Sequence, residues 1–584
     1  MLRKDVSEEL KWKLSDIFET DEKWEDDLKK IEEVLPRTEE MKKNIAPDAK
    51  TLLNNLKDID EISLVLERLY VYARMKRDED NANSKYQAMT GKATTASVQL
   101  SSALSFLNPE LLKLDEKTIE GYIKEDCLED YNFFLSELLR QKKHILSEKE
   151  EKLLAMASDF SGGAREIFTM LNNVDIKLGE VDGELLTHGK YIVNMQSEDR
   201  DKRKRTYDTF YGAFKGNINT IATAYSTSVK KDIFYSRARN YGSAIQRALF
   251  SDDVPVGLYE NLIKMVHENI SIMHRYIDLK KRALNIDSIY MYDIYAPLVE
   301  EQNRQYDYNE AVEINLKGLM PLGEQYMEVL KSAFGAGWVD VCETEGKTSG
   351  AYSWGAYGTH PYVLLNHRGD LDSVFTIAHE MGHAMHTYYS NNSQPYSKAG
   401  YSIFVAEVAS TVNEILLTHY LLKNTEGEER KYILNHYIDQ FRTTVVRQTM
   451  FAEFEKKTHE LAEKGEPLVW ENLCDLYGEL NSLYHGNVME ADENITYEWA
   501  RIPHFYNAFY VYKYATGFSC AVQIANDILA GRGVDNYIKF LSSGGNDHPL
   551  NQLKIAGVDL ESGVPVAKCM EEFDRALSEF EKEF

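Results

Sequence analysis

The spacing of apolar and polar positions predicts a chain built mainly of amphipathic helices. From Val6 to about Thr344 most of the sequence is long and charged, with apolar residues recurring at intervals of three and four. In EKWEDDLKKIEEVLP, for example, Trp24, Leu28, Ile31 and Leu35 fall on one helical face. Ser147-Glu148-Lys149-Glu150 has the Ser-x-x-Glu form of a capping box and opens the apolar-periodic run EEKLLAMASDF. Helix breakers are sparse, as at Asn108-Pro109 and Ser161-Gly162-Gly163. Between Ile176 and Met195 polar and apolar residues alternate around Asp182-Gly183, which predicts a short hairpin inside the helical array.

The texture changes around Gly335 to Asn366, where Gly, Tyr, Ser and β-branched residues accumulate, and the main sheet is expected there. Within it HPYVLLN, residues 360–366, reads as a short apolar strand bounded by Gly358 and Arg368-Gly369-Asp370. A helix capped by Asp372 and running through Tyr389 should follow. After Lys398-Ala399-Gly400, SIFVAEVASTVNEILLTHYLL predicts a second long helix. Helical periodicity then continues almost to the end, broken near Gly465, Asn487, Pro503 and Ser542 to Gly545.

At 584 residues the chain is long enough for more than one core. Its formal net charge of −27 argues against a surface built for nucleic-acid backbones. The one dense basic cluster, Arg200-Asp201-Lys202-Arg203-Lys204-Arg205, is expected to be a solvated helix face. The opening residues lack the apolar core of a signal peptide, and no run reaches the length of a membrane span, so a cytoplasmic protein without membrane association is expected. Cys127, Cys342, Cys474, Cys520 and Cys569 form no CxxC pair and are odd in number, which suits a reducing compartment and buried or inert thiols.

The candidate chemistry lies in AHEMGHAMH, residues 378–386. On a helix, positions i and i+4 lie about 40° apart with Cβ atoms ~6 Å apart, so His379 and His383 can aim ring nitrogens at one point. Two imidazoles at that spacing suit zinc, and Glu380 lies beside them to accept a proton from a water. Gly382 accepts a helix-propensity cost of about 1 kcal/mol relative to alanine, so something should pack closely there. The second helix is apolar on nearly every side, yet Glu407, Ser410, Thr411 and Glu414 form one polar stripe along it. Buried carboxylates need a cation or donors to offset desolvation, which makes Glu407 the third ligand and Glu414 a group that orients a histidine. His386 lies on roughly the same face, but three ligands along one straight helix span about 10 Å, too far for ~2 Å bonds. A packing role, or one of supporting the ligands from behind, is expected for it, and strand-end or loop roles for His360 and His367. Two histidines and one carboxylate leave a coordination position open for water, the arrangement of a catalytic zinc.

Further on, RIPHFYNAFYVYKYATGFS, residues 501–519, places Tyr506, Tyr510 and Tyr514 at helical spacing behind His504. Phenols and imidazoles can donate to a developing oxyanion, and tyrosines so spaced can equally be core aromatics.

Together, AHEMGHAMH, FVAEVASTVNE at 404–414 and RIPHFYNAFYVYKYATG at 501–517 resemble the oligoendopeptidase F group of thimet-oligopeptidase-like zinc metallopeptidases. The resemblance extends to WKLSDIF, SRARNYGSAIQRAL, YDIYAPL and GAYSWGAYGTHPYVLLN, and so covers nearly the whole chain. It implies a mostly α, multi-helical zincin-type metallopeptidase with a small β-sheet beside the active-site helix and a deep substrate channel. It implies an N-terminal helical region over residues 1–110, a channel wall over 111–200 and a catalytic domain over 201–584. Oligopeptides would be its partners, cut internally while folded proteins are spared. One zinc per chain would sit on His379, His383 and Glu407, with Glu380 as base. The strand near HPYVLLN would be the edge that pairs with substrate backbone. His504, Tyr506 and Tyr510 would contact substrate or oxyanion, with Tyr512 and Tyr514 nearby.

Overall fold

The structure, a computed structural model, describes residues 1–299 and 304–583, the side chains of Glu32 and Asp159 excepted. The helices used below are α1 (Asp21–Val34), α2 (Ala49–Glu79), α3 (Ser84–Leu104) and α4 (Glu148–Ser161). After a hairpin of β1 (Glu180–Val181) and β2 (Glu184–Leu185) come α5 (Arg200–Gly216) and α6 (Ile218–Ala238). Three strands follow, β3 (Val339–Asp340), β4 (Tyr352–Trp354) and β5 (Tyr362–Leu364). Then come α7 (Leu371–Ser393), α8 (Ile403–Asn424), α9 (Arg447–Glu463) and α10 (Tyr512–Leu529). Among the described residues no helix is long and apolar enough to cross a membrane.

The chain divides into two compact units, each assembled from separated stretches. The first comprises Met1–Lys143, Asn303–Tyr420 and Ile524–Gly557; the second comprises His144–Gln302, Leu421–Gln523 and Val558–Phe584.

In the first unit α1, α2 and α3 pack together on the stripe predicted from the sequence. Trp24, Leu28 and Ile31 are buried, and the Trp24 indole donates to the Leu69 carbonyl at 2.8 Å. Leu35 packs at the margin of that cluster, where Pro36 tightens the chain into a 3₁₀ turn. Tyr362 and Leu364 of β5 join the same core. The strand order is β3-β5-β4, with β5 parallel to β3 and antiparallel to β4. HPYVLLN therefore supplies the central strand, not an edge. Both sides of β5 are paired and all three of its residues are buried, as an unbroken apolar run requires. The outer strands are β3 and β4, and both β4 and β5 lie against α7.

The cap of α7 is Asp370 rather than Asp372: its carboxylate accepts the Ser373 N–H at 2.7 Å, while Asp372 sits in the first turn. The second helix, α8, buries Val405, Val408, Ala409, Val412, Ile415, Leu416 and Leu417, whereas Ile403 at its start is 64% exposed. Helices α7 and α8 meet at Gly382, where an added Cβ would lie 2.5 Å from Ser410 Cα and 2.8 Å from the Ala409 carbonyl oxygen. One turn back, the Ala378 carbonyl accepts from Asn413 Nδ2 at 3.1 Å, and Asn413 in turn accepts from Tyr326 at 3.2 Å. The final stretch of this unit closes the same region, with Tyr537 donating to the Ala409 carbonyl at 3.5 Å and Gly545 N–H to the Lys398 carbonyl at 2.7 Å.

In the second unit β1 and β2 form the expected hairpin, and positive φ at Asp182 (54°) and Gly183 (85°) gives the primed turn that matches strand twist. The hairpin is shorter than the alternation suggested, since His188–Met195 is helical. Both halves of the Ser147–Glu150 capping box are formed. Yet Leu153, Met156 and Phe160 on α4 stay largely exposed, because periodicity sets the phase of a helix and not what covers it. The basic cluster is not wholly solvated either. Arg203 is 3% exposed and pairs with Asp293 at 2.9 Å, since a buried guanidinium needs a counter-charge; Lys204 and Arg205 are exposed. Cys474, Cys520 and Cys569 are buried, while Cys127 is exposed.

The Gly382 contact decides the sign of a substitution. Gly382→Ala gains about 1 kcal/mol of helix propensity but overpacks against backbone that cannot rotate away, at a cost of about 1–3 kcal/mol or more. It is expected to lower the urea midpoint of the protein. Gly91→Ala on α3, where no atom lies within 4 Å of the new Cβ, is expected to raise it. Equal shifts of the two variants would contradict the close approach.

Candidate metal centre

His379 and His383 project from α7 with their Nε2 atoms 3.2 Å apart and their rings at 85°. From α8 the Glu407 Oε2 atom comes within 3.6 Å of His379 Nε2 and 3.7 Å of His383 Nε2. A tetrahedral ion with ~2.0 Å bonds keeps its ligand atoms about 3.3 Å apart, so these donors already stand close to the edges of such a tetrahedron. They form the metal-competent group found among the described residues, with all its donor atoms within 4.8 Å of one another.

The tautomers fit the same purpose. His379 Nδ1 is hydrogen-bonded to Glu414 Oε1, which turns Nε2 toward the group. His383 is held by the Ala406 carbonyl. Burial disfavours a charged His379 ring, but Glu414 outweighs it and pushes the group up to about 9. Burial, reinforced by His379, pushes His383 down to about 3, so that ring is neutral and ready to ligate. Burial also pushes the Glu380 carboxyl up to about 7, opposed in part by the backbone N–H of Ser353 on β4. The donor set of two imidazoles and a carboxylate therefore suits zinc.

Glu407 departs from its expected burial. Its side chain is 53% exposed because it lies one turn from the open start of α8, whereas Ser410 is fully buried and Glu414 largely so. His386 takes no part in the group. It is buried against Tyr401, with rings stacked 3.7 Å apart, and near Phe540 at 5.4 Å. His360 stacks on Trp338, and His367 bonds the Tyr306 carbonyl, as strand-end and loop residues. The sequence did not single out Ser353 or Ala406, which act through backbone atoms; the glycines bracketing Ser353 were the available signal for an exposed strand.

The tyrosine segment lies in the second unit and is not the single helix its spacing predicts. Pro503–Tyr506 is a 3₁₀ turn, Phe509 has φ of 59°, and α10 begins only at Tyr512. The break separates the tyrosines. Tyr506 is 5% exposed and its ring stacks on Phe168 at 4.4 Å. His504 stacks parallel to Tyr510 at 6.4 Å, and Tyr514 meets both edge-on at 6.0 and 5.4 Å. Burial, with Arg447 adding, lowers the His504 pKa, so the ring is neutral and carries one N–H to donate. Tyr512 is fully buried.

Comparison with known proteins agrees with this geometry. Residues 193–572 match the family described as peptidase family M3, and residues 110–177 match the one described as oligopeptidase F. The chain is 44% identical to oligopeptidase PepF of Bacillus subtilis over 99% of its own length and 88% of that protein. It is 42% identical to the chromosomal oligoendopeptidase F of Lactococcus lactis subsp. cremoris over 99% of this chain and 98% of that one. The crystal structure of oligoendopeptidase-F from Enterococcus faecium superposes with a TM-score of 0.73 at 34% identity, covering 96% and 99% of the two chains. A crystal structure from Chlamydophila abortus superposes with a TM-score of 0.93 at 35% identity over the whole of both chains. With the matched region spanning both the histidine helix and the carboxylates that face it, this mostly helical zincin belongs to peptidase family M3.

Proposed function

We propose that the protein is a zinc-dependent endopeptidase that hydrolyses internal bonds of short oligopeptides, with His379, His383 and Glu407 holding the metal and Glu380 as general base. The observation that carries the reading is the convergence of His379, His383 and Glu407 at the edge lengths of a zinc tetrahedron, beside a buried carboxyl. Zinc bound there supplies Lewis acidity, polarising the scissile carbonyl and acidifying water. Glu380, with its proton affinity raised toward neutrality, takes a proton from the attacking water and returns it to the leaving amine. The Ser353 N–H steadies its carboxylate form, the one present before the proton is taken and again after it is returned. Glu414 fixes the His379 tautomer, and the edge of β4 can add an extended peptide as a further strand. His504 and Tyr510 donate hydrogen bonds to the peptide. A cytoplasmic location belongs to the same reading, supported by five free thiols.

Glu380→Gln is expected to keep its zinc, measured by elemental analysis, and to lose at least about a hundredfold in kcat; retained turnover would remove Glu380 as the base. Glu414→Ala is expected to weaken zinc binding by about ten- to a hundredfold in competition with a chromogenic chelator. Mass spectrometry of short peptides blocked at both ends, with a folded protein in the same mixture, tests the substrate class. Internal, chelator-sensitive cuts confined to the peptides are expected, whereas cleavage that requires a free carboxyl terminus would point to a carboxypeptidase.

A further inference from the structure

The segment from Pro503 to Tyr514 brings His504, Tyr510 and Tyr514 together because the chain reverses at Phe509. Phe509 has φ of +59°. For a bulky L residue that conformation costs of the order of 1–3 kcal/mol and persists only where its surroundings over-determine it.

Two contacts hold it. The Phe509 ring is buried, with His459 4.6 Å and Tyr259 5.9 Å from it, centre to centre. Its backbone N–H donates to Oε1 of Glu455 at 3.1 Å. Glu455 lies on α9 and is fully buried, and its Oε2 has no hydrogen-bond partner among the described residues. Burial, with Asp232 adding in the same direction, pushes its carboxyl well above the usual carboxylate range. A buried carboxyl with one oxygen unsatisfied is a costly anchor, since each orphaned polar atom forfeits about 1–3 kcal/mol of solvation. A leucine would fill similar space without that cost, so the bond to Phe509 is what the position retains.

Taking His504 and Tyr510 as donors to the peptide, as above, we propose that Glu455 is a positioning residue: by gripping the Phe509 amide it fixes the left-handed turn that sets the imidazole and the phenols in one cluster. It touches no substrate. Its effect passes through the turn to groups that do.

The test uses the full-length, zinc-loaded enzyme and a blocked short peptide. Glu455→Leu is expected to lower kcat by about ten- to a hundredfold, the cost of misplaced donors, with zinc content unchanged. KM should stay within about threefold, because the loss falls on the transition state. Glu455→Gln keeps an acceptor oxygen and the shape of the carboxyl, so it should stay near the parent. Adding Glu455→Leu to Tyr510→Phe should cost little beyond Tyr510→Phe alone, since both act through one group. Unchanged kcat in Glu455→Leu, an equal fall in Glu455→Gln, or losses that multiply would each overturn the proposal. Should Glu455→Leu fail to fold, incorporation of the α-hydroxy analogue of phenylalanine at 509 deletes the N–H and leaves both side chains intact. The same kcat loss is expected, and an unchanged kcat overturns the role. Loss of kcat in Tyr510→Phe with none in the ester form overturns Glu455 alone. Parental kcat in both Tyr510→Phe and His504→Ala, beside an inactive Glu380→Gln, removes the donor reading and Glu455 with it.

Discussion

The metal centre depends on how closely two helices approach. Gly382 lets the backbone of α8 at Ser410 press against α7 where any side chain would intrude. Glu407 and Glu414 lie about one turn to either side of Ser410, so that spacing determines where both carboxylates arrive. At this separation Glu407 stands at ligand distance from both imidazoles, and Glu414 bonds the far nitrogen of His379. A wider gap would draw both carboxylates away together, because they ride on one rigid helix. Asn413, bonded to the Ala378 carbonyl and to Tyr326, resists sliding along the helix axis.

The same proximity creates an electrostatic demand. Glu380, Glu407 and Glu414 crowd two imidazoles in a partly desolvated space, and burial together with its acidic neighbours drives Glu380 toward its protonated form. Carboxylates so placed repel one another unless a cation stands among them. The protein accepts that repulsion in the folded chain, and a divalent ion relieves it. The charge pattern and the ligand geometry thus call for the same group.

Much of this was legible in the sequence because the informative spacings are local. His379, Glu380 and His383 lie within one helical turn, and the Glu407–Glu414 stripe stands out against an apolar helix. Those patterns needed only the helical repeat to become geometry. The strand order was less accessible, since β5 gains its central place by pairing in parallel with β3 and antiparallel with β4, and short strands carry no signal of which neighbour each will take. The unbroken apolar run of YVLL did carry that information, for a strand buried on both faces does not alternate. The tyrosine spacing misled for a different reason. Nothing in the preferences of phenylalanine announces a left-handed backbone at 509; the buried Glu455 that holds it lies 54 positions away. Burial of Arg203 and exposure of Phe160 likewise depend on packing partners and not on periodicity.

The discontinuous build of the first unit bears on the order in which the enzyme matures. Its histidine helix and its carboxylate helix leave the ribosome well before the stretch Ile524–Gly557, which supplies the Tyr537 bond to Ala409, the Gly545 bond to Lys398 and the Phe540 ring beside His386. Domains tend to fold as units during synthesis. A nascent chain therefore carries His379, His383 and Glu407 through the synthesis of more than a hundred further residues without the packing that holds them in register, and the unit can consolidate only once Ile524–Gly557 has been made.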